Sequence, residues 1–305
     1  MSVVDLIGLG RDIGARFALV GLLPGVVLAL FVLALLWSGA PGEAPDLDRI
    51  LDEARELDAW AGGLLFLTLL VAAIVAQPLQ LGLVRWLEGY WPHLARPLAA
   101  RRRARYERRV DALEATTAPR RKPLTPEELA TMSDAASELR LLPPREYLMP
   151  TRLGNALRAA EVRAGEPYGL DVVVAWPRLY PLLSDPVRAV VDGQRDALDV
   201  NARFCSVFAA AAVIAAGLLA AHGWWLLVPA GCLVLTWLAY RAAVAAAIAY
   251  GESIRSAVDL HRFTLLEALH LPLPATPEEE WALNAKLSRF LLQGVPLDAA
   301  YEHRP

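Results

Sequence analysis

The densest charged chemistry in this chain of 305 residues is an arginine run comprising Arg101, Arg102, Arg103, Arg105, Arg108 and Arg109. Guanidinium groups stay protonated at every physiological pH. Such a run attracts anionic lipid head groups, at about 1 kcal/mol per basic residue near a charged bilayer. It also marks the membrane face on which a loop stays. Nucleic acid is not the expected partner, because the run adjoins an apolar stretch and no aromatic stacking platform is interleaved with it. A second group is Trp176, Arg178 and Tyr180. These read as an interface to head groups or another subunit, or as packed core and cap residues. Gln77 and Gln80, beside Pro78, are the most polar side chains of one apolar run. They either line a pore, bond across helices, or sit near the inner membrane interface. Arg241 either snorkels to the inner surface or, repeated in several copies, rings a channel mouth.

Catalytic and metal chemistry have no pattern to stand on. HExxH, GxSxG and a P-loop are absent, and His93, His222, His261, His270 and His303 lie far apart from one another and from cysteine. No pair has metal-ligand spacing. The segment Gly8 to Gly14 superficially resembles a dinucleotide loop, but no strand precedes it and an apolar run follows. His261 lies on the inner stripe of a helical pattern, where a satisfied core histidine is expected. The chain is therefore read as non-enzymatic, with no cofactor and no metal.

The elements that must position these residues follow from composition. Apolar residues make up 56% of the chain, against about 45–50% in ordinary soluble domains. Residues 17–37, 60–84, 204–221 and 224–241 hold no Asp, Glu, His or Lys. Each reaches or approaches the roughly 20 residues needed to cross a bilayer. Four transmembrane helices in two hairpins are expected, the first an anchor rather than a cleaved signal because its run is long and Pro41 follows the small residues. The absence of acids, His and Lys from the spans argues against proton-coupled transport. Cys205 and Cys232 fall at different depths and read as small buried residues rather than a disulfide.

Basic residues crowd the segment from Arg85 to Lys122, whereas the loop from Gly39 to Ala59 is acidic. Both termini and the middle insert are thus expected in the cytoplasm of a bacterial inner-membrane protein. The outer loop should form a short amphipathic helix, with Leu47, Ile50, Leu51, Ala54 and Leu57 on one face. Its acids, including Asp46, Asp48, Asp52 and Glu53, either concentrate cations at an entrance or form a solvated face.

The organisation read from these patterns is an N-terminal amphipathic segment with the first hairpin (1–84), a helical insert (85–203), a second hairpin (204–250) and cytoplasmic C-terminal helices (251–305). Thr125-Pro126-Glu127-Glu128 and Thr276-Pro277-Glu278-Glu279 carry the signature of helix starts. Thr151 opens a further helix that Gly165 ends. Val172 to Ala175 reads as a short extended piece, since Pro177 disfavours helical angles at Trp176. From Pro186 one helix should run into span three, with Val187, Val190, Val191, Gln194, Leu198, Asn201 and Cys205 at helical spacing. Span four should likewise continue along Ile254, Val258, His261, Leu265 and Leu269 to about Leu271. Ala-rich faces in both spans favour close helix approach, and with it a homo-oligomer.

Pro150 to Glu161, Tyr168 to Asp171 and Trp176 to Leu179 resemble the signature of a family of bacterial four-span membrane proteins, written PTRLGN-LRAAE, YG-D and WPRL. Asp259 to Phe263 resembles that family's tail. The resemblance implies topology and grouping and transfers no active site. The layout is also similar to that of bestrophin-type channels, as an analogy of topology alone, since no selectivity motif of those channels matches these residues. The expected function is an ion-conducting pore with a cytoplasmic helical vestibule. The competing expectation is a membrane scaffold or sensor that binds a cytoplasmic partner protein.

Overall fold

A computed structural model describes residues 21–119, 125–298 and 301–302 of the protein. Among the described residues every regular element is a helix. The chain forms two compact units. One reaches Trp86 and resumes over Asp196–Ala243; the other comprises Leu87–Arg195 and resumes at Val244. The expected N-terminal amphipathic segment and the Gly8–Gly14 stretch lie outside the described residues.

Apart from the charged α2, the first unit is built from apolar helices. α1 (Leu23–Trp37) carries Pro24 in its first turn, where a missing N–H costs nothing. α2 (Leu47–Glu56) is capped by Asp46, whose carboxylate accepts from the Asp48 N–H at 2.9 Å. It buries no residue. Leu47 and Leu51 are 63% and 53% exposed while Ile50 and Leu57 are half-buried, so the expected apolar stripe is covered only in part. α3 (Ala59–Glu88) contains Pro78, and its stretch Ala59–Val75 meets α2 at a bend of 115°. α8 (Asp185–Leu218) and the helix Gly223–Ala268, whose α-helical part is α9 (Leu227–Ala268), are long and apolar enough to cross a membrane. The unit turns Phe66, Val75, Val213 and Trp237 outward, an exposure that hydrocarbon tolerates and water does not.

Small residues let these helices close on one another. A Cβ on Gly25 of α1 would lie 3.0 Å from the Ala73 Cβ of α3. Ala211 and Ala212 of α8 pack with Cys232 of α9 and with Leu28 and Phe31 of α1. Part of the alanine surface that the sequence offers for self-association is therefore covered within the chain. The cysteines are free and buried.

In the second unit α4 (Arg96–Thr117) and α5 (Pro126–Arg140) enclose Val110, Leu113 and Ala135 together with Leu142 and Leu148. Thr125 and Glu128 form a reciprocal capping box at the start of α5. α6 (Arg152–Arg163) and α7 (Val172–Leu179) precede α8, and α10 (Pro277–Gln293) follows α9. Ala175 and Leu179 of α7, Val191 of α8, Ile254, Val258 and Leu265 of α9 and Leu287 of α10 share the main core. On the α9 stripe Ile254, Val258 and Leu265 are buried, and His261 and Leu269 are half-buried. On α8, Val191, Leu198 and Cys205 are buried, but Val190 is 56% exposed.

The extended reading of Val172 to Ala175 is corrected: these residues are the first turn of α7. The Asp171 carboxylate accepts from the Val173 and Val174 N–H groups, which satisfies the donors that a helix start leaves open. Pro177 removes one internal bond without breaking the helix. The Arg178 guanidinium donates to the Val174 carbonyl at 3.0 Å, adding a side-chain bond where the last turn is weak.

A candidate anion-binding cleft

α4 places Arg101, Arg105 and Arg108 at i, i+4 and i+7, one face of a helix, with Arg102 and Arg109 on the adjoining face. That face borders a cleft of about 1240 Å³. Its other walls are the end of α5 and the following turn, through Glu138, Leu141 and Leu142, the first turn of α6, through Arg152, Asn155 and Ala156, and α9, through Val244 and Ile248. Six arginines thus face one carboxylate across the cleft. Arg103 is exposed on the same helix but does not line it.

That carboxylate is already engaged. Arg109 Nε donates to Glu138 Oε1 at 2.9 Å and Nη2 to Oε2 at 2.6 Å, the two-pronged geometry of a guanidinium on a carboxylate. The hydrogen-bonded Arg109 holds the Glu138 carboxyl below its ordinary pKa, and Arg152 adds to the effect through its charge. Arg102 lies 5.9 Å from the Trp91 ring centroid. Arg101, Arg105, Arg108 and Arg152 form no ion pair among the described residues. The helix dipole does not call for this concentration, since α4 has no basic residue in its last turn, where a cation would complement it.

Thr151, Gly154 and Asn155 fix the start of α6, which forms one wall of the cleft. Thr151 caps α6 by accepting from the Gly154 N–H at 3.0 Å. Asn155, 1% exposed, accepts from the Met149 N–H at 2.7 Å and donates to the Met149 carbonyl at 3.0 Å. A Cβ on Gly154 would collide with the Glu88 carbonyl. Gly169 turns with φ +68° beneath the Trp281 carbonyl. Tyr168 donates to Asp259 Oδ1 at 2.8 Å, and the Arg262 guanidinium lies 4.3 Å from the Tyr168 ring centroid while pairing with Glu280 at 2.7 Å. The bond to Asp259, helped by burial, raises the Tyr168 pKa. His261 accepts from the Ser184 N–H at Nε2, 3.1 Å away, and its Nδ1 lies 3.2 Å from the Ala257 carbonyl. The Tyr168–Asp171 and Asp259–Phe263 segments therefore meet, and their polar atoms serve each other.

The remaining residues singled out from the sequence do not converge on one site. Trp176 and Tyr180 are half-buried against the main core with ring centroids 5.9 Å apart, and the Tyr180 hydroxyl donates to Asp192 at 2.8 Å. Arg178 is exposed. Arg241 is exposed too, its guanidinium 4.9 Å from the Trp237 ring centroid. Gln77 and Gln80 lie on α3, and their side chains fall outside what the structure describes. Sequence reasoning missed Arg152, Glu138, Val244 and Ile248 as cleft residues. Only Arg152 carried a signal, as the cation that follows the Thr151 helix start. Comparison with family models, curated proteins and solved structures finds no match to the chain.

Proposed function

We propose that the chain is a non-enzymatic, multi-pass membrane protein that acts as a sensor or scaffold, receiving an anionic ligand in the arginine-lined cleft of its second unit. The supporting observation is six guanidinium groups around one cavity with a single carboxylate that Arg109 already occupies. Like charges gathered in a concave site raise the local potential and concentrate counter-ions. In this reading the chain crosses a bacterial inner membrane four times, with α4 and both termini on the cytoplasmic side. The basic content of the α4 segment and the acidic content of the α2 loop support that orientation.

The reading is tested on full-length protein in a zwitterionic detergent. Tripolyphosphate and polyglutamate are each titrated during thermal unfolding, with the variant R105A/R108A/R152A as comparison. Ligand at about 100 times its Kd stabilises by roughly 2.7 kcal/mol, a shift of several degrees that the variant should lose. No response of the native chain to either polyanion overturns the proposal. Conduction is the weaker reading, because Arg241 is engaged by Trp237 on its own helix. Planar-bilayer recording decides it: voltage-dependent current from the purified protein would restore the pore and the oligomer it requires.

A further inference from the structure

Beside the polar side chains of Tyr106, Ser137, Glu138 and Asn155, the cleft has two larger kinds of wall. Arginines occupy the α4 side and the start of α6, while Ala156, Leu141, Leu142, Val244 and Ile248 present carbon. Resting on the reading above, we infer that the ligand is a phosphate ester with an apolar portion, the phosphate held by Arg101, Arg105, Arg108 and Arg152 and the apolar portion laid against Val244 and Ile248.

Three observations select this class. Arg101, Arg105 and Arg108 follow one another by rises of about 6 and 4.5 Å along α4, so their guanidinium forks can converge on a tetrahedral oxyanion, which they match with paired N–H donors. The positive end of the α6 dipole opens on the same space, through the turn that holds Arg152 and Ala156, and phosphate is the group that helix N-termini hold best. Finally, the carbon wall offers no side-chain hydrogen-bond partner. A bound acidic peptide would strand backbone N–H and C=O groups there, whereas an acyl or similar apolar portion loses nothing. A cleft of about 1240 Å³ is far larger than one inorganic phosphate requires.

A phospholipid head group and a soluble phosphate ester share this chemistry. Position favours the lipid. Val244 and Ile248 follow Arg241 by one and two turns of the same helix, so the carbon wall belongs to the apolar stretch of that helix, which meets its next charge only at Glu252.

The test uses full-length protein in nanodiscs of phosphatidylcholine alone, with phosphatidic acid, or with a long-chain fatty acid as a carboxylate control. Retained lipid is counted by native mass spectrometry, and phenyl phosphate and pyrophosphate are added as soluble competitors. Phosphatidic acid should be retained by the native chain and weakened roughly fivefold for each arginine removed, through R105A, R105A/R108A and R105A/R108A/R152A. R103A, which removes an arginine outside the cleft, should retain it fully, and R105K should fall between because it keeps charge but loses the fork. Ile248→Asn should weaken phosphatidic acid while sparing pyrophosphate. Phenyl phosphate bound more tightly than phosphatidic acid upholds the phosphate-ester class and assigns a soluble source. Equal retention by the triple variant, fatty acid retained as well as phosphatidic acid, or pyrophosphate bound as tightly as either ester overturns the inference. If polyglutamate still stabilises through these arginines while no phosphate ester does, anion sensing stands and this inference falls. Silence from every anion removes both.

Discussion

At the scale of the residue, buried polar side chains with two partners do most to fix local geometry. Asn155 satisfies both backbone groups of Met149. Asn155→Ala should destabilise the second unit by about 1–3 kcal/mol, because it leaves a buried donor and acceptor unmet. Thermal unfolding in detergent measures this, and an unchanged midpoint would show that water replaces the amide. Gly154→Ala should be more damaging, since its Cβ would meet the Glu88 carbonyl, a backbone atom with little freedom to yield. Failure to accumulate folded protein is the expected result; wild-type stability would contradict the close approach. Trp176→Ala should cost about 2 kcal/mol, below the roughly 3–5 kcal/mol of a fully buried aromatic, because its ring is only partly enclosed.

At the scale of the element, the α4–α5 pair carries a built-in pH dependence. Arg109 forks onto Glu138, and Arg145, reaching from the turn after α5, pairs with Asp111 at 2.7 Å and with Glu114. Because the Glu138 carboxyl is depressed in the folded chain, its contribution is complete above the ordinary value of 4.5 and is lost as pH falls through the lower folded value. Protection of α4 and α5 amides, taken relative to the intrinsic exchange rate at each pH, should therefore stay high at neutral pH and fall in acid, and E138Q should abolish that pH dependence. A loss of protection in acid that persists unchanged in E138Q would assign the effect to another carboxylate. The short helix α7 teaches a related lesson. Pro177 predicts extended backbone when read alone, yet Asp171 satisfies two N–H groups and Ala175 and Leu179 find the main core. Tertiary burial outweighs the local bias of one proline.

At the scale of the whole molecule, two helices are long and apolar enough to cross a membrane, and the proposed topology puts the bilayer around one unit and water around the other. Reporter tags inserted after Arg109 and beside Glu53 should emerge in different compartments; finding both on one side would dismantle the topology. Composition and spacing determined the helical class, two of the four expected apolar spans as helices long enough for a membrane, the helix starts at Thr125, Thr151 and Thr276 and the inward stripe of α9 at Ile254, Val258 and Leu265. Each is written locally, as an unbroken apolar run, a capping side chain or a 3.6-residue period. The cleft is not local in this sense. Its arginines were visible as a run, but the convergence of Arg152, Glu138, Val244 and Ile248 on that run joins segments far apart in the chain. Only tertiary packing, with Asn155 bonded to Met149 and Gly154 against the Glu88 carbonyl, decided that a solvated charged face would become one wall of a cavity.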